Sequence, residues 1–270
     1  MKKKNSKNLK GITLIEILIG IVVSSIMMGA MYATYSAVNS TYSQVTDRAK
    51  ISQGGRDILG MVVRDVRMAG FKYFNDNIRT SNEHIPILIT KSSSAKCCDK
   101  IDIVFGDVSI DSSSTPVTFN YSRIKVTYWA EASKIIDKAT GKPIDAYAVY
   151  KSKKKWSTSG SSWEVPGGDI FYNKEKIIDY VVDMEFVPID EKGLKISPPP
   201  TATNSNKDKI NKIKIVDMIL TTRSSKPYFR SKIAQTIYAL ADSNRNISKS
   251  DKYLRDSVVV SAHARNLGLN

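Results

Sequence analysis

Histidine is scarce in this chain: His84 and His263 are the only two among 270 residues, and cysteine is as rare. The two histidines stand in separate sequence contexts. There is no H-E-x-x-H zinc motif, no C-x-x-C pair, no G-x-S-x-G elbow and no G-x-x-x-x-G-K-[ST] phosphate loop. A Ser93-Ser94-Ala95-Lys96 match to S-x-x-K lies in a serine- and lysine-rich stretch without its partner motifs. The expectation is therefore a protein with no catalytic residues, no cofactor and no metal, and not an enzyme. Asp99 with Asp102, or Asp179 with Asp183, offer oxygens to calcium, but that ion needs about six to eight converging ligands. Scattered acids flanking strands are expected to be solvated instead.

The two cysteines, Cys97 and Cys98, are adjacent. A bridge between neighbours closes almost no chain and so adds little entropic stabilisation. A vicinal disulfide and a pair of free thiols are both open readings. Two adjacent thiols are not a zinc site unless further ligands come near.

Proline and charge are missing from the N-terminal region. No proline precedes Pro86, and no charged residue occurs over residues 17–46. An uncharged apolar run of this length spans a hydrocarbon core of about 30 Å as a helix. Ahead of it stand Lys2, Lys3, Lys4, Lys7 and Lys10. Positive charge on that flank keeps it cytoplasmic and sends the rest of the chain across. The run is too long for a secretory signal core and no small-x-small cleavage site closes it. Glu16 is the one acid near its start. It is read either as sitting at the cytoplasmic interface or as awaiting a cationic partner, since charge is costly within a bilayer.

Beyond the run the pattern becomes amphipathic. Ile58, Leu59, Val62, Val66 and Ala69 recur at helical spacings, with Arg56, Asp57, Arg64, Asp65 and Arg67 on the other faces. One helix over about residues 13–69 is predicted. Gly29 and the Gly54-Gly55 pair are its expected weak points, and Gly70 its C-cap.

After Phe71 short β-like runs alternate with polar loops. The predicted strands are 85–90, 101–105, 124–129, 147–150, 177–187, 210–222 and 257–262. Residues 151–162 and 197–206 read as exposed loops. Lysine and arginine total 41 against 26 acids, a net charge of +15. The lysines are interleaved with acids, so a solvated basic surface is expected. Non-specific capture of nucleic acid is the alternative.

Lys10-Gly11 followed by Ile12-Thr13-Leu14-Ile15-Glu16 and a long apolar helix resembles the class III signal of type IV prepilins. The resemblance implies that a prepilin peptidase cuts after Gly11 and methylates the new N-terminus at Ile12, and that Glu16 serves subunit assembly. Most members of that family carry Phe where this chain has Ile12. The stretch 64–71, with Asp65, Arg67, Ala69, Gly70 and Phe71, resembles the end of the N-terminal helix in PilW-type minor pilins. The J-type pseudopilins of type II secretion are similar in plan. Cys98-Asp99, Leu220-Thr221-Thr222-Arg223 and Arg265-Asn266 follow the PilW pattern more loosely.

The resemblance implies an α+β pilin fold: a leader over 1–11, a helix over 12–70 that spans the membrane at about 14–38, and a β-rich head over 71–270. It implies an inner-membrane subunit with a cytoplasmic N-terminus and a periplasmic head, passing into a pilus or pseudopilus. The implied partners are minor and major pilins, the prepilin peptidase and the inner-membrane assembly platform. The implied function is a minor pilin that helps to initiate a type IV pilus. The alternatives are a J-type pseudopilin and a DNA-binding minor pilin for uptake.

Overall fold

The computed structural model describes residues 11–71, 84–92, 97–111, 113, 116–137, 141–202, 207–241 and 243–267. The leader lysines and the Ser93–Lys96 stretch lie outside them. Helix α1 covers Leu14–Met68, and the chain divides into two compact units, Met1–Asp47 and Arg48–Asn270.

In the first unit α1 is apolar on every face. Side chains that would form a core in water stay exposed: Leu14 at 77%, Met28 at 72% and Tyr32 at 75%. An 18-residue window there has a mean hydropathy of 2.2 and none of it is buried. A helix hydrophobic all round needs lipid or other helices about it.

Among the described residues the second unit holds the C-terminal part of α1 and ten strands. They are β1 (Ile87–Thr90), β2 (Lys100–Asp111), β3 (Thr118–Ala132), β4 (Tyr147–Ser157), β5 (Ser162–Glu164), β6 (Tyr172–Ile189), β7 (Ile215–Arg223), β8 (Ile233–Ile237), β9 (Ile247–Asp251) and β10 (Arg255–His263). An antiparallel sheet runs β1-β2-β3-β4-β6-β7-β10, with β5 added to β4; β8 and β9 form a separate pair. Ile58, Leu59, Val62 and Val66 of α1, with Ala69 just past its end, join Ile103, Val126, Tyr128, Phe186 and Leu220 of the sheet in one core. The predicted class, a long apolar N-terminal helix followed by a strand-rich head, is the one observed.

Gly70 ends α1 with φ +72°, and its N–H donates to the Val104 carbonyl of β2 at 2.9 Å. A Cβ there would lie 2.6 Å from Leu267 Cδ2. The Gly54-Gly55 pair does not loosen the helix. A Cβ at Gly55 would approach Val258 Cγ2 to 3.1 Å and one at Gly54 would meet Ile178 Cδ1 at 3.4 Å, so the glycines allow close helix–sheet packing.

Three sequence expectations change. Residues 210–214 are not strand: a short helix α2 covers Lys207–Asn211. Ile210 and Ile213, three apart, are both buried, which suits a helical turn rather than a strand's period of two. Residues 151–162 are not a loop either. β4 continues to Ser157 and turns into β5, where Trp156 faces Trp163 at a ring separation of 5.2 Å. The hairpin β8–β9 went unpredicted, because its strands are only five residues long and β9 is mostly polar.

Candidate functional site

The N-terminal residues that the resemblance singles out lie together at the start of α1. Gly11 and Ile12 are exposed and non-helical, and Glu16 falls in the first helical turn. Thr13 N donates to Glu16 Oε2 at 2.8 Å and Thr13 Oγ1 to the same oxygen at 2.9 Å. Glu16 N donates back to Thr13 Oγ1 at 3.4 Å. This is a Thr-x-x-Glu capping box, which satisfies amide donors that a helix start leaves without partners. The sequence carried the signal, and attention to the charge of Glu16 passed over it.

In the second unit Asp99, Asp102 and Asp183, expected to be solvated, are buried, Asp179 is partly buried, and all four are paired. On β6, Asp183 and Glu185 alternate with Met184 and Phe186, so the apolar pair faces the core while the acids face away from it. There Arg245, from the 3-10 turn Ser243–Arg245, donates from Nη2 to Asp183 Oδ1 at 2.8 Å and from Nη1 to Asp99 Oδ1. Asp99 is fully buried, and its Oδ2 accepts from Lys91 Nζ at 2.9 Å and from Phe186 N at 3.0 Å. Glu185 accepts from Lys91 at 3.2 Å and from the Leu240 amide at 2.6 Å. Removal from water pushes the Asp183 carboxyl above the usual carboxylate range, against the pull of Arg245. Such a network ties β8–β9 to the main sheet. Asp102 and Asp179 are not part of it: Asp102 pairs with Lys100 at 3.1 Å and Asp179 with Lys176 at 2.7 Å.

Asp65, read from sequence as one of the polar residues of α1, is also buried. It accepts from Tyr128 Oη at 2.6 Å and pairs with Lys151 Nζ at 2.9 Å. Lys151 is itself buried, contrary to a wholly solvated lysine surface. Burial, then the Asp65 charge, raises the Tyr128 pKa, which keeps the hydroxyl a donor.

Cys97 and Cys98 precede β2 and are joined as a vicinal disulfide. They lie beside Asp183: the ligand atoms of the three residues are within 4.8 Å of one another. Sequence spacing could not reveal this neighbour, because it comes from the far side of the chain order.

His84 is buried against two tryptophans, edge-on to Trp156 at 4.6 Å and to Trp163 at 5.5 Å. Its Nδ1 has no hydrogen-bond partner. Desolvation first, then Arg123 and Lys125, lowers its pKa to about 4, so the imidazole is neutral near pH 7.

A helix capped at its start and apolar over its first unit, followed in the chain by a β-rich unit, is the plan expected of a pilin-like chain. The family description "Prokaryotic N-terminal methylation motif" matches residues 6–32, which take in Gly11, Ile12, Glu16 and the first turns of α1. Among solved structures, a type IV-like pilin from Thermus thermophilus is similar with a TM-score of 0.46 and 9% identity. The likeness covers 80% of this chain and 96% of that one. No curated protein matches the chain.

Proposed function

We propose that this protein is a minor pilin that helps to start a type IV pilus and is built into it, without enzymatic activity of its own. One observation carries the reading: the methylation motif runs into a helix whose apolar surface is exposed on all sides over its first unit. In the membrane that surface faces lipid, and in a fibre it packs against other N-terminal helices. The same reading places the lysine leader in the cytoplasm and the head in the periplasm, by the charge on the flank of the span. Peptidase cleavage after Gly11 then exposes Ile12 for methylation. Other pilins and the assembly platform of the inner membrane are the partners, and the energy of assembly comes from proteins other than this one.

The test is mass spectrometry of the native membrane protein, with the fibre fraction sheared from cells analysed in parallel. The expected N-terminus is N-methylated Ile12, with the same peptide present in sheared fibres at a low ratio to the major subunit. An intact Met1, or a cut beyond the apolar run, would remove the basis for the reading. Processed protein confined to the envelope, with none in sheared fibres, would move the assignment to a secretion pseudopilus.

A further inference from the structure

We propose that the reduced form of the head binds a thiophilic divalent ion of the zinc type through Cys97, Cys98 and Asp183. The cysteine pair alone cannot make such a site, because zinc takes four ligands and structural or open sites use at least three from protein. The fold supplies the missing one. The Asp99 amide donates to the Met184 carbonyl at 2.8 Å, which lays the segment after the cysteines against β6. Asp183, one residue before Met184, is thereby brought to the two sulfurs, with all three ligand atoms within 4.8 Å of one another. Metal–ligand bonds of about 2.0–2.3 Å put tetrahedral neighbours about 3.5 Å apart, so closure of the set needs only a small movement.

Two further features suit an ion. Both hydrogen bonds described for the Asp183 carboxylate, from Met184 N at 2.9 Å and Arg245 Nη2 at 2.8 Å, fall on Oδ1. Oδ2 carries neither of these bonds and is the oxygen assigned to the ion, with the Oδ1 bonds orienting it as the partners of a ligating carboxylate do. Beside the pair there is also a cavity of about 240 Å³, lined by Cys97, Tyr147, Val182, Ile247 and the ion-paired Asp145 and Lys249. It gives room for a water as fourth ligand and a route for the ion and for a reductant.

The sulfurs are now bonded to each other, and an ion needs both as thiolates. A dithiol or a phosphine opens the bridge; the phosphine gives two electrons and leaves as its oxide, with water supplying the oxygen and the two thiol protons. A dithiol gives two electrons and two protons, leaving as its own disulfide while Cys97 and Cys98 become thiols. The incoming ion then displaces both thiol protons. Metal loading and the disulfide are thus mutually exclusive states of one site, and an ion held there protects the pair from reoxidation.

The experiment uses the full chain in detergent, with and without treatment by a water-soluble phosphine, and Zn²⁺ in competition with a chromophoric chelator. One Zn²⁺ per chain is expected after reduction and none before it. The double variant Cys97→Ser/Cys98→Ser should lose binding. Asp183→Asn should weaken it by at least about tenfold, the lower end of what even outer partners of a metal site contribute. Asp179→Asn, at an acid of the same strand that pairs with Lys176 and takes no part in the ligand set or the cavity, should bind as the parent does. Because Asp183→Asn also disturbs the Arg245 network, X-ray absorption on the zinc-loaded parent gives an independent reading: two sulfurs and oxygen ligands are expected. No uptake by the reduced parent, a four-sulfur shell shared between chains, or unweakened binding by a folded Asp183→Asn would each overturn the proposal.

Discussion

At the scale of single residues, this protein places titratable groups where water cannot reach them. His84 is the clearest case, with an unpaired Nδ1 inside an aromatic pair and a pKa lowered to about 4. The unfolded chain takes up a proton at this residue below about pH 6.5, while the folded chain resists doing so until about 4. Stability is therefore lost as pH falls through that window and levels off below it. Thermal unfolding of the parent and of His84→Phe, compared at pH 7.5 and 4.5, isolates the contribution. The parent should lose more stability than the variant on acidification. An equal loss in both would mean that other groups carry the whole acid response. Asp65 is a second buried polar residue, held by partners rather than left alone. Its pairing with Lys151 and Tyr128 is a buried ion pair, and breaking such a pair by removing one partner costs about 3–5 kcal/mol. From sequence, neither residue could be told from its exposed neighbours, since Arg64 beside Asp65 is largely in water.

At the scale of elements, the helix-to-sheet junction rests on Gly70. Its positive φ lets the chain leave α1 and join β2 through the Val104 carbonyl, and the next residue receives a bond from Gly106 N at 3.1 Å. Gly70→Ala should destabilise the head by about 1–2 kcal/mol from the backbone alone, because L residues resist the left-handed region. The clash with Leu267 Cδ2 adds to this. In chemical denaturation, Leu267→Ala should relieve part of that second penalty, so the double variant should lose less than the two single losses combined. Strict additivity would show that the close approach to Leu267 does not matter. The Ala69-Gly70 ending was visible in the sequence as a helix stop. The continuation of β4 through the lysine- and serine-rich 151–157 was not, because composition favoured a loop and only the Trp156–Trp163 pairing across the hairpin reveals a strand.

At the scale of the whole molecule, Glu16 bears on how subunits would come together. Two readings now compete: a charge that meets the amine of a neighbouring subunit during assembly, and a helix cap engaged with Thr13. Glu16→Gln keeps an acceptor able to complete the capping box but removes the charge, whereas Glu16→Val removes both. Both variants should enter the membrane, since an uncharged residue costs less there, and both should be cleaved after Gly11. If the charge governs assembly, crosslinking to partner pilins falls in both. If Gln assembles like the parent and only Val fails, the carboxylate acts through the helix start and the assembly role is refuted.

The sequence by itself determined the N-terminal half of this account. A lysine-rich start, Gly11, an uncharged run and a Thr-x-x-Glu sequence are local features, and a helix long and apolar enough to cross a membrane is legible without tertiary partners. It also determined the helix face at Ile58, Leu59, Val62 and Val66, because burial on one side of a helix repeats at a fixed spacing. Only the tertiary structure decided which charges are buried. Asp99 meets Arg245 across 146 positions of sequence, and Asp65 meets Tyr128 across 63. It alone likewise set Asp183 beside the two cysteines. A charged side chain carries no mark of its partner, and burial becomes affordable only where the fold delivers an opposite charge or a donor to it.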